Sequence, residues 1–210
     1  MANKPYFAHP SSNISDAAQI GPGTKIWQQC QIREETTLGA SCILGKGVYI
    51  DARVKIGNQV KIQNGVSIYE GVTLEDGVFC GPHCVFTNDL HPRGINPDGS
   101  LKSPDDWEIT PTLVRSGASI GANAAIVCGI TIGHWAMIGT GAVVTHDVPD
   151  YGLVYGNPAQ LFGFVCPCGH KLAWWPKRDM EEGPITMTCP ECSAKVKIDR
   201  AAFRRWRDTV

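Results

Sequence analysis

The chain has 210 residues, with 19 lysines and arginines against 20 aspartates and glutamates, a formal charge of −1. That balance gives no electrostatic basis for binding a nucleic acid backbone. No apolar run reaches the roughly 20 residues that span a bilayer, and the first ten residues lack the apolar stretch of a secretion signal, so a cytoplasmic location is expected.

From Ile14 an aliphatic residue returns every six positions, at Ile20, Ile26, Ile32, Leu38, Leu44, Ile50, Ile56, Ile62, Ile68 and Leu74. The beat resumes at Val114, Ile120, Ile126, Ile132, Ile138 and Val144. Four residues after each stands a small or β-branched residue, such as Thr24, Cys30, Thr36 and Cys42, and later Ala118, Ala124 and Ala136. A period of six is neither that of a helix nor that of an alternating strand. It describes a short strand and a bend, three to a triangular coil, with coils stacked around one core. The aliphatic residue points inward, and the residue four places on fills a corner. Gly often follows the aliphatic residue, as at Gly21, Gly39, Gly45, Gly57, Gly81, Gly121, Gly133 and Gly139. There it is read as supplying the backbone freedom of the bend. Cys30, Cys42 and Cys84 take corner positions and Cys80 an inward one, so all four read as core filler in a reducing compartment. Cys128 matches neither inward position and reads as a surface thiol without a role.

The beat stops after Phe86. Residues 87–110 read TNDLHPRGINPDGSLKSPDDWEIT, a polar stretch with no hexad. A long insertion into a compact solenoid points to function. It gathers Asn88, Asp89, His91 and Arg93. An imidazole titrates near neutral pH, so His91 suits proton transfer, and Pro92 stiffens the chain beside it. Asp89 and Asp105 are candidates to orient the ring. Asn88 offers a donor and an acceptor for a substrate amine, and Arg93 suits a carboxylate or phosphate. The plainer alternatives are an exposed loop histidine, a turn-capping asparagine and a solvated arginine.

Beyond residue 164 the beat is gone. Cys166 and Cys168 are followed by Cys189 and Cys192, two close pairs that suggest a small zinc ribbon. Four protein ligands close such a site, so its role is structural. His170 is an alternative to one thiolate, and metal-free knuckles or disulfides are the competing readings. Trp174 and Trp175 lie between the pairs. Phe203 and Trp206 stand at helical spacing among arginines, which predicts a capping helix rather than a nucleic acid contact.

Residues 14–164 resemble the hexapeptide-repeat acyltransferases. The hexad array, the His91-Pro92 pair and the run IGTGAVVTHDVPDYGLVYGNPAQ at 138–160 carry the likeness. The resemblance implies a left-handed parallel β-helix over residues 1–164, with the inserted loop at 87–110 and the zinc-ribbon-like segment at 165–210. It also implies a homotrimer with acetyl-CoA bound between subunits. KIQNGVSIYEGVTLEDGVFCGP (61–82), FTND (86–89) and PTLVRSGASIGANAAIVCGITIG (111–133) are similar to the branch that N-acetylates nucleotide-linked amino sugars. The nearest likeness within it is to enzymes acting on UDP-linked 2-acetamido-3-amino-2,3-dideoxyglucuronate, which serve surface polysaccharide synthesis. On that resemblance His91 is the general base and Asn88 lies beside the acceptor amine. Arg93 is the candidate partner of a uronate carboxylate. Ala122, Thr140, Thr145, His146 and Gln160 fall at the family's CoA contacts. Two departures weaken the expected charge contacts to CoA phosphates: His146 replaces a lysine and Gln160 a frequent basic residue.

Three other functions compete. One is O-acetyl transfer to a sugar or small molecule. Another is a γ-carbonic-anhydrase-like metal site, which requires three converging histidines where His83 and His134 occupy outward positions. The third is a solenoid scaffold without catalysis.

Overall fold

A computed structural model describes residues 5–172 and 184–207. Strands of two or three residues wind in turn through three parallel sheets that form the faces of a triangular prism. Face one has nine strands, beginning Phe7–Ala8, Lys25–Ile26 and Ile43–Leu44. Face two has seven, from Asn13–Ile14 to Val143–Val144, and face three has six, from Gln19–Ile20 to Thr131–Ile132. This is the parallel β-helix expected from the six-residue period.

Each strand turns one residue out and one in. On face one the inward residues Ile26, Leu44, Ile62, Cys80, Ile120 and Ile138 are all buried and stack in a column. Burying one such aliphatic side chain contributes about 1.5–3 kcal/mol, so the column is a large share of the folding free energy. Parallel partners stand 18 residues apart, as in Lys61↔Phe79 and Ile62↔Cys80.

The corners correct the expected role of glycine. The left-handed backbone conformation falls three residues after the aliphatic position, not one. Gln29, Glu35, Ser41, Arg53, Gln59, His83 and Asn123 adopt it, with φ of 56–58°. A non-glycine residue pays about 1–2 kcal/mol for such a conformation. The compensation is geometric, because it aims the N–H at the preceding coil. Gln59 N donates to the Ala40 carbonyl at 2.8 Å, and His83 N to that of Asn64 at 2.9 Å. The glycine directly after the aliphatic residue is needed for closeness instead. A Cβ on Gly121 would lie 2.5 Å from Thr140 N.

The small corner residues do more than fill space. Thr24 Oγ1 and Thr36 Oγ1 donate to the carbonyls of Gly39 and Asp51 at 2.9 and 2.8 Å. Cys30 Sγ and Cys42 Sγ do the same to Gly45 and Gly57 at 3.0 and 3.2 Å. A buried carbonyl left without a donor is destabilising, so a short side chain carrying O–H or S–H fits these corners better than alanine.

The insertion leaves the prism at the edge between faces two and three, after strand Val85–Phe86 and before Thr112–Val114. Pairing continues across it, with Val85↔Ala125 and Phe79↔Ser119, partners now 40 residues apart. Cys128 is buried beneath the root of the insertion, contrary to the surface position expected of it. Its amide donates to Thr87 Oγ1 at 3.0 Å, and the insertion supplies the cover that the hexad phase does not predict.

Parallel stacking ends in a closing hairpin. Gly152–Gly156 lies parallel on Met137–Ile138 and then pairs antiparallel with Ala159–Phe164. A ribbon hairpin, Ile185–Thr188 with Lys195–Ile198, and a terminal helix, Arg200–Arg207, complete the described chain. Phe203 of the helix is buried with Phe164, Cys166, Leu172, Met187, Cys189, Val196 and Ile198 in a second, smaller core. Trp174, Trp175 and the Trp206 side chain lie outside the described residues. No helix among them is long and apolar enough to cross a membrane.

Candidate functional site

The insertion is folded by its own polar contacts. At its root the Thr110 amide donates to the Asn88 carbonyl at 3.0 Å. Further out, an Ile95↔Leu101 antiparallel bridge joins its two arms, and Lys102 N donates to the Gly94 carbonyl at 3.3 Å. Ser103 caps a single helical turn, Pro104–Asp106, and Asp106 Oδ2 accepts from both the amide and the hydroxyl of Ser103 at 2.7 and 2.8 Å. These two donors hold the Asp106 carboxyl below its ordinary range, the backbone amide first. Between the arms opens a cleft of about 430 Å³ lined by Asn88, Asp89, Arg93, Lys102, Ser103 and Trp107.

Of the residues singled out from sequence, Asn88, Asp89 and Arg93 line this cleft, while His91 is exposed and outside its lining. Asp89 Oδ1 accepts the His91 backbone amide at 2.7 Å, so this carboxylate braces the turn. Arg93, itself exposed, donates from Nη1 to the Pro92 carbonyl at 2.8 Å and keeps further N–H groups for other acceptors. Lys102, Ser103 and Trp107 went unremarked in the sequence. Nothing in the spacing marks them, because only the folding of the two arms brings them beside Arg93.

The five positions matching CoA contacts are divided among three places. Ala122 and Thr140 stack on the edge between faces one and two, where Gly141 N donates to the Ala122 carbonyl at 2.8 Å. Equivalent corner amides at Ala40 and Lys46 are taken by the side chains of Asn58 and Asn64, both at 2.9 Å. Among the described residues no side chain takes those of Ala122 and Thr140. Thr145 and His146 follow strand Val143–Val144 on the edge that carries the insertion, and Thr145 Oγ1 lies 2.8 Å from His146 Nδ1. Gln160 is on the closing hairpin opposite Tyr155, whose ring stacks on Phe162 at 3.8 Å.

The other histidines are dispersed. His83 sits on the edge between faces one and two with its ring over Gly65. His134 is on the third edge, its Nε2 3.4 Å from Arg115 Nη1. Nearby, Glu75 accepts the amide and hydroxyl of Ser116, both at 2.9 Å. Partial burial works to raise the Glu75 pKa. The Ser116 bonds outweigh it and, with the charges of His134 and Arg115, hold it below the ordinary range.

The four C-terminal thiols converge. The sulfurs of Cys166, Cys168, Cys189 and Cys192 lie within 4.8 Å of one another. Three of the separations are 3.5–3.6 Å. A tetrahedral Zn²⁺ with bonds of about 2.3 Å sets its sulfurs about 3.8 Å apart, so the donor set fits that ion. The surroundings differ from thiol to thiol. Backbone amides, led by that of Cys192, lower Cys189 to about 6, while burial pushes Cys166 up to about 12. His170 Nδ1 lies 3.6 Å from Cys168 Sγ, at the rim of the cluster.

Comparison with known proteins fits this architecture. The family model for the hexapeptide repeat of succinyl-transferase matches residues 36–70 and 116–146. A dTDP-3-amino-3,6-dideoxy-α-D-galactopyranose 3-N-acetyltransferase of Aneurinibacillus thermoaerophilus is 61% identical over 61 residues, covering 29% of this chain and 32% of that protein. A chloramphenicol acetyltransferase of Escherichia coli is 49% identical over 105 residues, 47% of each chain. The chain thus spans about a third to a half of these relatives' lengths. A hexapeptide-repeat acetyltransferase structure from Vibrio cholerae superposes with a TM-score of 0.51 at 25% identity, over 60% of this chain and 72% of that one. Fold and repeat define a parallel β-solenoid protein of hexads. Over residues 36–70 and 116–146 the chain carries the hexapeptide repeat.

Proposed function

We propose that the chain is an acetyl-CoA-dependent N-acetyltransferase whose acceptor is the amino group of a nucleotide-linked amino sugar, specifically a UDP-linked 3-amino uronic acid. One observation carries the reading: the insertion cleft sets an amide and a carboxylate, Asn88 and Asp89, in one lining with the cations Arg93 and Lys102. Such a lining complements an acceptor that bears both an amine and an anion. The relative named for 3-N-acetylation of a dTDP-linked amino sugar supports the same class.

Amide formation from a thioester needs a neutral amine close to the carbonyl carbon, a proton acceptor and a donor for the oxyanion. Asn88 orients the amine through its side-chain oxygen. The exposed position of His91 favours a route in which the amine enters neutral and loses its proton after attack, to water or the departing thiolate. Positioning alone accounts for roughly 7–11 kcal/mol in well-oriented reactions, so a dedicated base is not required. The Ala122 amide is available to bind the oxyanion or the donor. Ala122 and Thr140 stand on a different edge from the insertion, so a site that unites them takes two copies of the chain. A homotrimer with acetyl-CoA between neighbours meets that need.

The C-terminal thiols hold Zn²⁺ in a structural role, closed by four protein ligands and without chemistry of its own. All nine cysteines are unpaired, as suits the reducing cytoplasm.

The deciding experiment is thiol release from acetyl-CoA against a panel of nucleotide amino sugars. Turnover on a UDP-linked 3-amino uronate supports the proposal. Turnover confined to chloramphenicol or other small molecules sinks it and favours the reading suggested by the second relative.

A further inference from the structure

Among the described residues Lys102 is the lysine drawn in from solvent; Lys25, Lys46, Lys55, Lys61, Lys171, Lys195 and Lys197 are exposed. It stands nine residues beyond Arg93, yet both line one cleft. The cause is the fold of the arms, in which the Ile95↔Leu101 bridge and the Lys102 N to Gly94 carbonyl bond bring the second cation back beside the first. Ion pairs among the described residues are Arg33–Glu34, Arg33–Asp51 and Arg53–Glu70. Neither Arg93 nor Lys102 has such a partner. The carboxylates nearby are held by neutral donors, Asp106 by Ser103 and Asp89 Oδ1 by the His91 amide, and the Lys102 charge helps to lower Asp106. Arg93 is exposed and Lys102 half-buried, and both line the cleft, so an anion that enters it meets two cations.

We infer that Lys102 and Arg93 form a two-cation clamp on an anionic group of the acceptor, with half-buried Trp107 as the apolar wall beside it. The inference rests on the acceptor reading above and adds a specificity-determining residue to it. The planar guanidinium gives the bound anion its orientation, and the ammonium supplies a compact second charge. The apolar ring of Trp107 suits the C–H face of a sugar. Two sources of anion fit this chemistry, the sugar carboxylate and the nucleotide diphosphate.

The test is steady-state acetyl transfer by wild type, Lys102→Gln and Lys102→Arg, with a UDP-linked 3-amino uronate and with the matching neutral UDP-linked 3-amino sugar. For the uronate, Lys102→Gln should raise KM on the order of 10-fold with kcat within about 2-fold, and Lys102→Arg should recover most of the loss. A rise with the uronate alone assigns the clamp to the carboxylate. An equal rise with both assigns it to the diphosphate. Unchanged KM on both overturns the clamp. A calorimetric titration with UDP-glucuronic acid needs no turnover and decides the point separately. Equal affinity for wild type and Lys102→Gln rejects the clamp even where acetyl transfer succeeds. Weaker binding by the variant supports it even where the wild type turns over none of these acceptors, a result that would reject only the acceptor reading.

Discussion

The solenoid and the C-terminal ribbon have separate cores built in different ways. In the solenoid one six-residue solution recurs, and a single buried stack runs from Ile26 to Val154. Each coil is covered by its neighbours, so no one residue holds the whole. Among the described residues the ribbon and helix bury eight with the end of the closing hairpin, and two of these are the cysteines Cys166 and Cys189. Small cores are commonly supplemented by a structural metal. Repetition spreads stability along the chain, whereas the proposed zinc would concentrate that of the ribbon on four sulfurs.

The largest effect should follow Cys189→Ser or treatment with a strong chelator. Structural zinc contributes roughly 10–16 kcal/mol of apparent binding energy in small zinc modules, so its loss should release the ribbon as a unit. Metal content and hydrogen exchange over residues 184–207 would report this, while the main melting transition stays in place. Collapse of both regions together would break the contrast. Next comes Ile62→Ala, expected to cost about 2–5 kcal/mol in the solenoid and to lower its melting temperature with the metal retained.

The insertion gives a sharper division. Asn88→Ala should reduce turnover on the order of 100-fold, as for loss of a positioning hydrogen bond at a reacting group. His91→Ala should stay within about 10-fold of wild type, and a loss of 100-fold or more would make His91 the base after all. Neither change should move either unfolding transition. The smallest effect is Glu75→Gln, about 1 kcal/mol of stability at neutral pH. The pKa of Glu75 is lowered on folding, so its contribution is present above the ordinary glutamate value and fades as pH falls through the lower folded one. Chemical denaturation at pH 7 and pH 3 should therefore show the variant and wild type converging in acid.

Much of the fold was legible because the hexad is a periodic signal and burial follows its phase. The left-handed corners were not, since Gln59 and Arg53 carry no local preference for that conformation and adopt it to reach the coil beneath. Cys128 misled for a related reason: the phase describes the solenoid's own core and is silent about what an insertion covers. In the candidate site, Asn88 and Arg93 could be read as chemistry-bearing residues next to the break in the beat. Lys102 and Trp107 could not, because their place depends on how two irregular arms fold together. The thiol quartet was evident from cysteine spacing, but its seating against Phe164 and Phe203 was not.

The pairing that continues across the insertion has an evolutionary consequence. Strand partners lie 18 residues apart before it and 40 apart across it, and the 22 added residues leave the register of all three faces intact. Lengthening a surface loop is thermodynamically mild, about 0.6 kcal/mol for each doubling. The corner after Phe86 is therefore a socket: one loop can be exchanged there for another while the prism that carries it remains the same, and under the proposed function such an exchange would change the acceptor.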